Sequence, residues 1–392
     1  MRFGLFHNLH DLTKQRDYAD LLDELRDLAS ICEETDFDVL WMPEHHFSVW
    51  GRELLPNPLM AAVDIAARTR RIRIGLAAAI VTFWHPLRAA EDIALLDQIT
   101  RGRVEIGFGR GNYGLEALNL NPEANPNDQA KSKLVFDEAV SVIKTALTQE
   151  RFSFKGQVYQ FPAPGFHTDR AHAVSDPDYT DPQTGELVKL SIYPRARQNP
   201  LPMWEVVNSL DSIQHAARQD LGIIMWRPPV AALRERLRVY RDTLRETTGK
   251  DLPMGARTAI MRDTFVADTE EEAVRMAAGP MMESLNFSNW RGPSVYLNPG
   301  EKLSAEEETA LRKRLTYEFV RDRSVYLGPP EHIVQQILHL HRETGISSVI
   351  FKTSWSGLPH AAARESVRRL GTEVIPAVRA ALAAERQPVA AE

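Results

Sequence analysis

A short apolar strand followed by an amphipathic helix recurs eight times along this chain, and no other feature narrows its possible folds as far. Arg2 to Phe6 reads as the first strand, and Tyr18, Leu21, Leu22, Leu25, Leu28, Ala29 and Cys32 follow at helical spacing. Phe37 to Met42 with a helix from Pro58 to Arg70 repeats the unit. Ile72 to Val81 repeats it again, with a helix that opens at Pro86 and is closed by Gly102. Val104, Ile106 and Phe108 alternate with Glu105, Gly107 and Gly109 as a fourth strand, whose helix runs over Lys133 to Thr148. Residues from about 152–200 are rich in Pro, Asp, Gly, Tyr and His without a helical period and read as an insertion. Strands at Met203–Val207, Gly222–Trp226, Thr258–Val266 and Ser348–Lys352, each with a helix behind it, complete the set. This favours an α/β chain forming a TIM-like (β/α)8 barrel with insertions after strands 4 and 7. An open doubly wound sheet would use fewer strands and leave a long stretch without a place. Residues 1–392 are expected to form a single barrel domain.

The charge balance excludes some functions. With 47 Lys plus Arg against 53 Asp plus Glu, the net charge of -6 gives no footprint for nucleic acid or an anionic membrane. The longest apolar run, Ile74 to Trp84, is too short for a bilayer span of about twenty residues. The start at Met1-Arg2-Phe3-Gly4 lacks the apolar core of a secretory signal, and Cys32 is the sole thiol. A cytoplasmic location and small-molecule or protein partners are expected, with no Cys-based metal site.

In a barrel the chemistry sits just beyond the strand ends. After the second strand comes Glu44-His45-His46-Phe47, two imidazoles beside a carboxylate, as proton transfer near neutral pH requires. Adjacent residues point to opposite sides, so the pair is a poor chelate. One His is expected to pack into the wall against a backbone carbonyl and the other to face the pocket. After the third strand, Ala77 and Ala78 are small enough to let a flat ring lie against the backbone, or simply pack the barrel, and Trp84-His85-Pro86 follows. After the fourth, Gly109 to Gly114 spells a dinucleotide pattern, but the Asn- and Pro-rich run Leu118 to Asn127 argues against the helix that fingerprint needs. Arg110 between two glycines suits a phosphate better. After the fifth, Asn208-Ser209-Leu210-Asp211-Ser212 offers donors at a helix start.

Together these residues resemble the bacterial luciferase-like family of flavin-dependent monooxygenases. The resemblance implies a barrel that binds reduced FMN supplied by a separate flavin reductase, reacts it with O2 and holds a flavin 4a-hydroperoxide that attacks an organic substrate. It makes His45 the proton-transfer residue, places Ala77 and Ala78 behind the flavin ring, and gives the phosphate to Arg110, Ser209 and Ser212. Asn208 stands where bacterial luciferase has an acidic residue. His85 and Tyr113 match pocket positions. A homodimer is expected.

Phe47, Trp50, Phe83, Trp84 and Trp226 in the candidate pocket segments favour a hydrophobic substrate such as an aldehyde, ketone or cyclic compound. Residues from about 279–316, with Met281, Met282, Phe287, Trp290 and Tyr296 among Gly and Pro, are a candidate lid or a subunit contact. Two other readings stay open: a deazaflavin-dependent oxidoreductase on the same barrel, and a non-catalytic flavin-binding subunit of a heterodimer.

Overall fold

The computed structural model describes residues 1–167 and 177–386; the part of the expected insertion at 168–176 lies outside them. The barrel strands are β1 (Arg2–Phe6), β2 (Val39–Met42), β3 (Arg73–Ile80), β4 (Val104–Gly109), β5 (Met203–Val206), β6 (Gly222–Trp226), β7 (Thr258–Val266) and β9 (Ser348–Lys352). Each pairs in parallel with the next. β6 with β7, β7 with β9, and β9 with β1 close the ring.

Within the insertion, Phe154–Lys155 and Gln160–Phe161 form a short antiparallel pair, and a further parallel strand was not legible either. β8 (Val325–Gly328) pairs in parallel with the outer end of β7, from Asp263 to Val266. The nine residues of β7 thus serve two pairings, Thr258 to Asp263 in the barrel and Asp263 to Val266 above it. This extension carries a second small core, in which Phe265, Met281, Leu285, Tyr296, Leu315, Leu327 and Trp355 are buried together. Residues 279–296 are therefore packed on the barrel as helical turns rather than strung over it, and they roof its mouth.

Two indoles fill the barrel interior. Trp41 and Trp204 meet edge to face with ring centroids 6.1 Å apart, the favoured arrangement for aromatic quadrupoles. Strand glycines make the room: a Cβ on Gly75 would lie 2.2 Å from Trp41, and one on Gly222 would lie 2.5 Å from Trp204. Outside the ring, Leu5, Leu40, Ile74, Ile106 and Phe351 pack against the helices, each such side chain contributing about 1.5–3 kcal/mol by leaving water. The helix after β3 spans Pro86–Ile99, and Gly102 follows it with a φ of 83°, a left-handed conformation open to glycine. The loop after β4 differs from expectation. A seven-residue helix, Gly114–Leu120, opens directly after the glycines and stops at Asn121. Among the described residues no helix is long and apolar enough to cross a membrane.

Candidate active site

The carboxyl ends of the strands surround a cavity of about 560 Å³. His45, Ala77, Ala78, Arg110, Tyr113, Asn208, Ser209, Ser212 and Trp226 all line it. Phe47 and His85 are not among the lining residues. Phe47 is half exposed in a left-handed loop conformation. His85 precedes the helix Pro86–Ile99, and its ring rests 5.4 Å from that of Phe161.

Glu44 determines which way the paired histidines face. Its buried carboxylate accepts from the Ile80 N–H and the Trp84 indole N–H, both at 2.8 Å, and lies 2.9 Å from His46 Nε2. It ties the end of β2 to the end of β3, and it occupies His46 where a backbone carbonyl was expected. His45 is left toward the cavity, its N–H donating to the Leu55 carbonyl at 2.9 Å. Its Nδ1 lies 3.5 Å from Glu116 and 3.8 Å from Glu53, ionic contact longer than a hydrogen bond. Burial opposes charging of this ring, but Glu53, Glu116 and Glu44 outweigh it and hold its pKa above the ordinary 6.5. Tyr113 stacks obliquely 5.8 Å from His45, and burial together with Glu53 pushes its phenol well up. Glu116, from the helix after the glycine loop, also accepts the His46 N–H at 2.8 Å.

Ala77 and Ala78 form a wall of single methyl groups. The peptide between them is cis, and the register of β3 against β4 shifts there. A Cβ on Gly109 would fall 2.8 Å from that of Ala78, so glycine is needed for β4 to approach this wall. Beyond it the cavity becomes polar. The Arg110 Nη2 donates to Gln129 at 2.8 Å. Ser209 and Ser212 cap the helix Leu210–Arg218 reciprocally: the Ser209 hydroxyl accepts the Ser212 N–H at 3.2 Å, and the Ser212 hydroxyl accepts the Ser209 N–H at 3.1 Å. The Asn208 N–H also donates to Ser212, at 3.2 Å.

Several groups at the cavity were not singled out from sequence. His215 lies 2.7 Å from Glu205 and 3.0 Å from Asp137, and these carboxylates outweigh its burial and raise its pKa to about 9. The inward alternation of β5 was the available signal for Glu205. Arg227, Arg291 and Lys352 also line the cavity. A lone charged residue carries no motif that sets it apart in the sequence.

The comparisons with known proteins agree with this geometry. A family model described as luciferase-like monooxygenase matches residues 1–348. The oxygenase component of a flavin-dependent trigonelline monooxygenase from Acinetobacter baylyi is 26% identical over 382 residues, 96% of this chain and 95% of that protein. Among solved structures, the oxygenating constituent of 3,6-diketocamphane monooxygenase from the CAM plasmid of Pseudomonas putida, in complex with FMN, superposes with a TM-score of 0.72 at 20% identity, covering 96% of this chain and 98% of that one. The coenzyme F420-dependent tetrahydromethanopterin reductase of Methanopyrus kandleri does so with a TM-score of 0.69 at 17% identity, covering 96% and 99%. With its closed barrel, its mouth cavity and a family match over most of its length, this chain belongs to the luciferase-like, flavin-dependent monooxygenases.

Proposed function

We propose that the chain is the oxygenase of a two-component system, which takes reduced FMN from a separate flavin reductase and uses O2 to oxygenate a small organic compound. One observation carries this reading: a cationic, hydroxyl-rich end and a flat wall of methyl groups beside His45 belong to the same cavity. These residues fit FMN. Arg110 offers a planar fork, and Ser209, Ser212 and Asn208 offer donors at a helix start, where an anion is favoured. Ala77 and Ala78 leave a face against which a tricyclic ring can lie.

When bound, reduced FMN supplies two electrons to O2, so that one oxygen atom enters the substrate and the other leaves as water. The chain's residues bind, orient and shield. His45 keeps its proton above the ordinary imidazole range, with Nδ1 toward the carboxylates and Nε2 left to hand a proton over. The roof formed by residues 279–296 is the proposed lid, since its Ser284, Ser288, Trp290 and Val295 line the cavity and excluding water limits unproductive oxidation.

The fold likeness to a coenzyme F420 enzyme keeps a deazaflavin-dependent oxidoreductase as a second reading. Anaerobic titration with reduced FMN and, separately, with reduced F420, followed by mixing with oxygen, separates them. Expected is tight binding of reduced FMN and reoxidation slower than that of free flavin. Binding of F420 alone would establish the second reading, and binding of neither would point to a non-catalytic subunit.

A further inference from the structure

One end of the cavity holds a cation that neither the fold nor a flavin phosphate at Arg110 accounts for. Arg227 is 6% exposed, with a φ of 90°, and its guanidinium carbon lies 4.0 Å from the centre of the Trp226 ring. Its Nη1 donates to the Ser288 carbonyl at 3.1 Å and its Nη2 to the Ser288 hydroxyl. Its Nε is buried without a partner, and among the described residues no carboxylate pairs with it. Lys352 lies beside the same indole, with Nζ 4.8 Å from the ring centre, bonded to the Ser284 hydroxyl at 3.1 Å and 3.9 Å from Asp263. The Asp263 carboxylate already accepts from the indoles of Trp226 at 2.9 Å and Trp355 at 2.8 Å. Arg291 adds a third cation whose Nε also lacks a partner. Burial lowers the pKa of both Lys352 and Arg291; Asp263 and Glu53 oppose this at Lys352 and Arg227 adds to it, while at Arg291 both Arg227 and Arg110 add to it.

Buried cations are costly until an anion reaches them; of the carboxylates at this end of the cavity, Asp263 is held by two indoles, Glu53 is shared with His45, and neither pairs with Arg227 or Arg291. We infer that the substrate is a small cyclic or aromatic carboxylate, its anionic group held by Arg227 with Arg291 and Lys352 alongside and its ring near Trp226. This rests on the reading of the cavity as an oxygenation site. It departs from the expected hydrophobic aldehyde, ketone or cyclic compound by adding an anionic group; of the aromatic residues behind that expectation, Trp226 alone lines the cavity. A planar guanidinium edge with a free N–H suits a carboxylate.

Calorimetric titration of the protein, with and without FMN, against benzoate and cyclohexanecarboxylate, and against benzamide and cyclohexanecarboxamide, tests this. The carboxylates should bind about tenfold or more tighter than the amides. Arg227→Met should erase that preference, Arg227→Lys should retain part of it, and reduced-FMN affinity should stay within about twofold in both. Arg291→Gln, an independent variant should Arg227→Met fail to fold, should weaken carboxylates about threefold or more and leave amides unchanged. Equal binding of carboxylates and amides, or an Arg291→Gln protein with unchanged carboxylate affinity, would overturn the inference. So would an Arg227→Met protein that keeps the preference but loses reduced FMN, since Arg227 would then be a flavin ligand. Absence of reduced-FMN binding with the carboxylate preference intact would strike the oxygenase reading and leave this one standing.

Discussion

The two ends of the barrel bury charge in opposite ways. At the floor, Glu105 is fully buried yet satisfied: Arg2 and Arg73 pair with it, and the Trp204 indole N–H donates to it at 3.0 Å. Arg73 is itself completed by Gln198 at 2.8 Å and the Val104 carbonyl at 3.1 Å. At the mouth, Arg227 and Arg291 retain unpartnered nitrogens, and His45 stands 3.5 Å from its nearest carboxylate. Desolvating a charge is costly at either end unless a partner meets it. The chain meets that cost at the floor from its own residues and leaves it open at the mouth, which separates the end built for stability from the end built for ligands.

The widest separation is expected from His45. His45→Ala should lower product formation about 10²–10⁴-fold, the usual worth of a positioned proton donor, and leave FMN affinity within about twofold. The limb of the pH profile that reports this group should lie alkaline of 6.5, because its carboxylate neighbours raise its pKa, and should vanish in the variant. Steady-state rates with a reductase-supplied flavin check both; an unchanged turnover would remove His45 from the chemistry. Glu105→Gln should do the converse. It leaves Arg2, Arg73 and the Trp204 N–H facing a neutral group and should cost about 3 kcal/mol in urea unfolding, toward the low end for a broken buried pair because both arginines keep some solvent. FMN affinity should not change, and a loss of it would mean that the floor and the mouth are coupled.

The floor and the ring were legible because strand alternation is a repeated signal, carried by residues such as Gly4, Leu5 and Phe6 in β1 that must face the interior and the helices in turn. The four residues of β8 were not legible, since so short a run shows no period and gains its place only by pairing with an overlong β7. At the mouth, the glycines and Arg110 stood out by type and spacing, and so did Ser209 and Ser212. The aromatic residues misled for a physical reason. Trp84 is engaged by Glu44, and Trp50 lies exposed against Phe287 at 5.7 Å, so neither shapes the cavity. Arg227 had no sequence signal, because an arginine read in isolation belongs on the surface.

Within the mouth, the proposed phosphate end at Arg110 can be set against the Trp226 end. Arg110 is partly exposed and its guanidinium is bonded to Gln129, so Arg110→Ala should change stability by about 0.5 kcal/mol or less. It should weaken FMN about 10- to 100-fold through a lost charge-assisted contact. Fluorescence titration measures this, and unaltered affinity would move the phosphate away from Arg110.

The smallest effect is expected beside it, at His215. Its pKa of about 9 exceeds the ordinary 6.5 because Asp137 and Glu205 outweigh its burial. A proton held more tightly in the folded chain stabilises that chain fully below pH 6.5, and the contribution fades as pH rises through about 9. Glu205, whose own pKa burial pushes up, adds to the slope in the same direction from lower pH. The wild-type protein should therefore lose on the order of 2 kcal/mol between pH 6.5 and pH 9, measured by urea unfolding at each pH. His215→Gln should be less stable at pH 6.5 and should lose clearly less across the range, the remaining slope coming from groups such as His45. A wild-type protein equally stable at both pH values would mean that this imidazole is neutral, and the Arg110 end of the cavity would then lack the internal pairing that distinguishes it from Arg227.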